Sequence, residues 1–238
     1  MKIEKKLWII LFAFGIFAIC FSGWIFRQST AREKLFWDNT IRCETKELKE
    51  GEIKSENIAL PEDFDVPKSI LFKTTHTIAE VWLDGEKIYE YGNEADAPGF
   101  MKTPGSCWHI VDIPGDSSGK NLEVRIIPVY EGYYGNEVSL VYGTRGDCIL
   151  KILTDCLGIL VISCGILFAA VICILLYCGA ARRKRSDKTE AKIEIFLNLG
   201  FFSLLVAVWT LVQCGFLQFL IPDGRTLYFV EYFSLFLF

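Results

Sequence analysis

Residues 79–89 read Ala79-Glu80-Val81-Trp82-Leu83-Asp84-Gly85-Glu86-Lys87-Ile88-Tyr89. Polar and apolar residues alternate on either side of an Asp-Gly pair. A period of two sorts side chains onto the two faces of a strand. Asp-Gly accepts the positive φ angles of a two-residue hairpin turn. The stretch therefore predicts strands at 80–83 and 87–91 joined by a tight turn. Further short strands are predicted at 69–74, 107–113, 122–129 and 139–142, punctuated by Pro114-Gly115 and Gly143. Short strands at close spacing, with turn residues between them, indicate an antiparallel β-sandwich. Roughly 120 residues suffice for one such core.

Apolar blocks bracket this polar middle at 7–26, 156–178, 195–221 and 227–238. A helix crossing the roughly 30 Å hydrocarbon layer needs about 20 apolar residues. The first three blocks meet that length; the last does not, and reads as the first half of a helix in a longer parent protein. Lys2, Lys5 and Lys6 precede the first block, as in an anchor or a signal peptide. Its apolar core is longer than a signal core and no Ala-x-Ala site follows, so an uncleaved anchor is expected. The expected organisation is a cytoplasmic tip and transmembrane anchor (1–26), an extracytoplasmic sandwich (27–148) and a transmembrane helix bundle (149–238). Its helices are placed near 151–178, 195–221 and 227–238.

Charge gives the blocks a direction. Lys2, Lys5 and Lys6 lie before the first block, and Arg182, Arg183, Lys184 and Arg185 follow the second. Basic flanks stay in the cytoplasm, which sends 27–148 outside in a multi-pass protein of the cell membrane. Residues 27–147 hold 14 Lys and Arg against 22 Asp and Glu, net −8. Such a surface disfavours nucleic acid, so the partner expected first is the lipid bilayer. Of nine cysteines, Cys43, Cys107 and Cys148 fall in or beside the external part, where an odd number allows one disulfide at most. With two histidines and no Cys-x-x-Cys, neither a metal site nor a cofactor is expected.

The segment 79–89, then Trp108-His109-Ile110-Val111-Asp112-Ile113-Pro114, then Gly119-Lys120-Asn121-Leu122-Glu123-Val124-Arg125, resembles the strand series of jelly-roll sugar-binding domains, as in family-two glycoside hydrolases. The whole layout of anchor, sandwich and helices is similar to the sensory half of clostridial-type bacterial membrane diguanylate cyclases and to bacterial seven-transmembrane signalling receptors. The resemblance implies a jelly-roll ligand-binding domain coupled through helices to a cytoplasmic output. It implies no catalysis in this chain, because the cyclase Gly-Gly-Asp/Glu-Glu-Phe loop does not occur in it.

Candidate ligand-binding residues are Tyr89, Tyr91, Trp108, His109, Tyr130, Tyr133 and Tyr134, since aromatics offer large contact areas with polar tips. Trp82 and Trp108 read more readily as strand packing. The Gly-rich loop carrying Tyr130, Tyr133 and Tyr134 reads as the better ligand surface. His109, alone in an apolar strand, reads as a satisfied polar residue, or else as a pH sensor or ligand contact, and His76, in Thr-Thr-His-Thr, as solvated. Asp155, four residues after Lys151, and Glu231, inside an apolar run, are candidates for coupling across the membrane. The expected function is a sensor input module that takes a small molecule, sugar or peptide outside, with a homodimer compatible with signalling. The alternative is a membrane-anchored carbohydrate-binding or glycan-modifying protein, for which no carboxylate pair or nucleophile speaks. A transporter is disfavoured by the lack of paired broken helices.

Overall fold

The structure, a computed structural model of the chain, describes residues 16, 20, 23, 40–42, 54–60, 67–93, 100–130, 139–182 and 187–237. Among the described residues eight strands run in order: β1 Thr40–Arg42, β2 Lys54–Ala59, β3 Lys68–Thr75, β4 Thr77–Leu83, β5 Glu86–Tyr91, β6 Ser106–Ile113, β7 Asn121–Pro128 and β8 Ser139–Gly143. They form two four-stranded sheets, β1-β8-β3-β6 and β2-β7-β4-β5. Every pairing is antiparallel. The predicted strands are all present, and β1 and β2 add to them. Ile70, Phe72, Val111, Ile113 and Leu140 of one sheet meet Ala79, Val81, Leu83, Leu122, Val124 and Ile126 of the other in a single buried core. In β4 and β7 the buried residues alternate with partly exposed ones, as two-faced strands require.

The Asp-Gly turn is present as read. Asp84 has φ 47° and Gly85 φ 84°, and Leu83 pairs with Glu86 across it. Two successive positive φ angles define the turn whose twist matches that of the strands it joins. Asp84 also ties this hairpin to β7, donating its N–H to Asn121 O at 2.9 Å and accepting the Asn121 N–H on its carboxylate at 2.8 Å.

Three α-helices follow: α1 Arg145–Ala181, α2 Asp187–Gln213 and α3 Gly224–Phe236. The stretches Arg145–Ala181 and Glu194–Gln213 are long and apolar enough to cross a membrane. The helix expected at 195–221 is displaced, starting and ending eight residues earlier, at Asp187–Gln213. It stops at Gln213, where Gly215 takes φ 74° and its N–H caps Val212 O, the left-handed stop common at helix ends. A short 3₁₀ helix, Phe216–Phe219, comes next. The last helix begins at Gly224, earlier than the expected 227. The apolar block 7–26 lies outside the described residues apart from Ile16, Cys20 and Gly23, which are helical.

The chain divides into two compact units. One holds Glu33–Leu153 together with Gln218–Tyr228; the other includes Thr154–Leu217 and Phe229–Phe238. In the helical unit Ser163 Oγ on α1 lies 2.8 Å from Thr210 Oγ1 on α2. A Cβ on Gly200 of α2 would come within 2.8 Å of Ile174 of α1, so that glycine permits close helix approach. Gln213 Nε2 donates to Glu231 Oε1 at 2.7 Å. In the sandwich unit, the inclusion of Gln218–Tyr228 is the feature that sequence reading did not foresee.

Candidate functional site

The site is built on the edge strands β5 and β6, one from each sheet. In β6 the buried residues are Cys107, His109, Val111 and Ile113, while Trp108 and Ile110 face outward and are half-buried. On β5, Tyr89 and Tyr91 are half-buried and flank the exposed Glu90. Period two thus points Cys107 and His109 of one sheet at Tyr89 and Tyr91 of the other.

His109 is 1% exposed. Its Nε2 lies 2.7 Å from Thr74 Oγ1 and its Nδ1 2.9 Å from Tyr89 Oη. Its ring sits 4.8 Å from that of Phe72 and 4.9 Å from that of Tyr91. A neutral imidazole has one N–H and one lone pair, which these two hydroxyls match. Burial pushes the His109 pKa down to about 3, because a charged ring here would lose its hydration without an ion partner. Burial, with the Cys107 sulfur next in effect, pushes the Tyr89 phenol up to about 12 and raises Tyr91 as well.

Tyr91 Oη is the hub. It donates to Pro104 O at 2.9 Å, accepts the Gly224 N–H at 3.0 Å and lies 3.0 Å from Cys107 Sγ. One donated and two accepted contacts use the whole capacity of a phenol oxygen. Gly224 is the first residue of α3 and belongs to the segment Gln218–Tyr228 of the sandwich unit. A Cβ there would meet Cys107 Sγ, Tyr91 Oη and, at 2.8 Å, Pro104 O. Gly105, at φ 83°, faces the Gly224 carbonyl just as closely. The two backbones meet where only glycine fits.

The same segment is held at three more points. Gln218 accepts the Trp108 N–H at 2.8 Å and donates to Trp108 O at 2.6 Å, so one side-chain amide satisfies both backbone groups of an edge residue. Arg225 Nη2 donates to Asn93 O at 2.6 Å. Tyr228 places its ring edge-on to His76, 5.1 Å away. Asp223 caps α3, its carboxylate accepting the Thr226 N–H and hydroxyl and the Arg225 N–H. Burial raises the Asp223 pKa, but these donors outweigh it and hold the carboxyl below its usual range.

The start of α1 is fixed in the same unit. Thr144 and Asp147 cap it reciprocally, Thr144 donating to Asp147 Oδ2 at 2.6 Å and Asp147 N–H to Thr144 Oγ1 at 3.2 Å. Arg145 Nη1 donates to Asp112 Oδ2 of β6 at 2.5 Å, and the buried Cys148 thiol contacts Ser69 O of β3.

Of the predicted ligand residues, the structure brings Tyr89, Tyr91 and His109 together, facing one another. Trp108 points outward with Lys73 Nζ 5.5 Å from its ring centroid. Tyr130 is 40% exposed, with its ring 5.9 Å from that of His76. Tyr133 and Tyr134 lie outside the described residues. Trp82 is on the outer face of β4, covered by the Arg125 guanidinium at 4.4 Å. His76 is not solvated, as its polar neighbours had suggested, but 7% exposed. It turns the corner from β3 to β4 at φ 54°, with Nδ1 2.8 Å from Thr103 Oγ1. Asp155 is exposed on α1. Glu231 lies seven residues into α3, about 10 Å along its axis, deeper than a start at 227 implied. Cys107 and Cys148 are free thiols; Cys43 lies outside the described residues. Sequence reasoning missed Gln218, Gly224 and Gly105; the one signal was a glycine within Pro-Asp-Gly-Arg next to an apolar run.

No protein-family model matches the chain, and neither does any curated protein or solved structure.

Proposed function

We propose that this chain is the input module of a membrane sensor. An extracytoplasmic sandwich takes a ligand and passes a shift to helices that cross the cell membrane toward a cytoplasmic output. The observation that carries the reading is that one sandwich holds the first turns of two helices, α1 through Asp112 and Ser69, α3 through Tyr91 and Asn93. A change in strand position therefore bears on both helix starts at once, the arrangement a two-state transmitter needs. Parity supports the membrane assignment. If α1 and α2 each cross once, the basic elbow at 182–185 lies inside and Gln218–Tyr228 returns to the side of the sandwich, where its contacts require it to be.

Reading the sandwich as a jelly roll is supported by its strand order. β1-β8-β3-β6 over β2-β7-β4-β5 is the pairing of an eight-stranded double Greek key. The resemblance of 79–125 to sugar-binding jelly rolls supports a small, polar ligand.

The test uses the full chain in lipid nanodiscs. A panel of sugars, short peptides and small acids is screened for a rise in the unfolding temperature of the sandwich. A hit is then examined by hydrogen exchange at 145–148 and 224–228. Changed exchange at both helix starts is expected. A ligand that binds tightly and leaves both unchanged refutes the reading, as does protease protection showing the sandwich on the cytoplasmic side.

A further inference from the structure

We propose that the end of the sandwich at the β3–β4 corner binds the carboxylate of a small organic acid, with Arg225 as its counter-charge and the Thr77 hydroxyl as a second donor. The proposal deepens the sensor reading by naming the class of ligand, and it rests on that reading for its purpose alone.

The inside of the sandwich is apolar at one end and polar at the other. Ile70, Phe72, Val81, Val111 and Leu122 belong to the apolar core. Thr74, His76, Thr77 and Thr103 are buried but lie outside it. Buried polar groups are normally matched. Thr74 meets His109, and Thr103 meets His76. Thr77 differs. It shares the inward face of β4 with Ala79 and Val81, and its register partner is Pro128, which has no N–H. At 4% exposure its hydroxyl has no hydrogen-bond partner among the described residues.

A second unmatched donor comes from α3. Arg225 Nη2 donates to Asn93 O at 2.6 Å, but the buried Nε has no partner. The guanidinium forms no ion pair among the described residues. Asp223 feels its charge, yet that carboxylate is turned to the backbone N–H groups of Arg225 and Thr226.

Two lines of contact bring these donors to the same end of the sandwich. Tyr228, one turn after Arg225, sets its ring edge-on to that of His76, the neighbour of Thr77, 5.1 Å away. Along the β4–β5 ladder Ala79 pairs with Tyr91, and Gly92 lies against Ile78. Asn93, which holds Arg225, therefore follows at the Thr77 end of that ladder. Thr77 and Thr103 are buried, Arg225 and Tyr228 are half-buried, and Tyr130 is exposed with its ring 5.9 Å from that of His76. The buried hydroxyl thus has a more open, partly aromatic rim.

Two unmatched donors, one of them charged, call for acceptor oxygens that carry a negative charge. A carboxylate supplies both, and its hydrogen bonds to a guanidinium are charge-assisted. The rings of Tyr130 and Tyr228 suit an acid with an apolar body over a bare inorganic anion. An unmatched hydroxyl held in the interior costs stability, and replacing it by a methyl of similar shape removes that cost. Thr77 therefore stays at the expense of the fold, as a residue kept for binding does.

Calorimetric titration of the full chain in nanodiscs tests this, with acetate, benzoate and succinate as probes, their amides as neutral counterparts, and inorganic phosphate. At least one acid is expected to bind saturably, and about tenfold or more tighter than its amide. Arg225→Ala should weaken that acid by about tenfold or more, the loss of a charged hydrogen bond. Thr77→Val should weaken it by about two- to tenfold, while the melting temperature of the free protein is unchanged or raised. If Arg225→Ala does not fold, Arg225→Gln and Thr77→Val decide by the same comparison. The proposal is overturned if no acid binds, if an amide matches its acid, if phosphate binds tighter than every acid, or if these variants keep wild-type affinity. Titration reads occupancy and not transmission. An acid that binds through Arg225 and leaves exchange at 145–148 unmoved keeps the site and sinks the sensor reading. A sugar that moves both helix starts, with no acid bound, does the reverse.

Discussion

Acid should weaken the sandwich through His109, and the size of the effect follows from the site. In the unfolded chain the imidazole takes a proton near pH 6.5; in the fold its pKa is about 3. A group whose pKa is depressed by folding gives stability that is intact above its unfolded value and lost as the pH falls through the gap. The window here runs from about pH 6.5 down to about 3. One pKa unit is about 1.36 kcal/mol, so moving from pH 7 to pH 5 should cost about 2 kcal/mol from this residue, before most carboxylates titrate. His76, also held below its ordinary value by burial, adds to the same slope. The contribution of His109 is therefore read as the difference between wild type and His109→Gln, which retains a donor and an acceptor but has no proton to bind. Urea unfolding of the full chain in detergent micelles, followed by tryptophan fluorescence at both pH values, measures it. Wild type should lose about 2 kcal/mol more than the variant between pH 7 and 5. Equal losses in the two proteins would refute the claim that His109 is held neutral by burial between Thr74 and Tyr89.

Three other outcomes follow from contacts described above. Thr74→Val leaves a ring nitrogen of His109 buried without its hydroxyl and should cost about 1–3 kcal/mol in the same urea assay, whereas Lys73→Ala, one residue away on the exposed face of β3, should cost less than about 0.5 kcal/mol. Gly85→Val forces a β-branched side chain to φ 84° and should lower stability by about 1–2 kcal/mol, while Gly85→Asn should stay within about 0.5 kcal/mol; thermal melts of both variants check the pair. Cys107 and Cys148 are buried, burial raises both thiols, and Cys148 is pushed up to about 11. Maleimide should accordingly modify neither at neutral pH until urea unfolds the sandwich, as peptide mass mapping after digestion will show.

The sandwich was legible in the sequence because its signals are local. Period-two alternation and an Asp-Gly pair are read within a dozen residues, and β3 to β8 fall within a few residues of where those signals put them. The short β1 carries too few residues for a period to show. His76 was misread for a related reason. Thr-Thr-His-Thr looks like a solvated loop, yet its polarity serves the corner itself, where Thr103 and the Gly105 carbonyl take up the imidazole and backbone N–H. Tyr89, Tyr91 and His109 were singled out as ligand candidates, but composition cannot say whether such groups face a ligand or each other. The segment Gln218–Tyr228 was the least legible part. Its apolar residues continue the run of α2, and its hydrogen-bond partners in the sandwich lie 110 to 133 residues away in sequence, so no short window along the chain contains both halves of these contacts.

Gln218 does one thing more by sitting on Trp108. β6 ends its sheet with a row of backbone donors and acceptors, the template on which another chain can add a strand and start fibrous growth. Growth of that kind needs a continuous run of vacant positions. The glutamine amide fills one at the third residue of an eight-residue strand, so an incoming strand must first expel it. A side chain recruited from between two apolar helices thereby acts as a stopper against polymerisation, and chains carrying Gln218→Ala should collect in insoluble, thioflavin-positive material sooner than the parent under gentle heating.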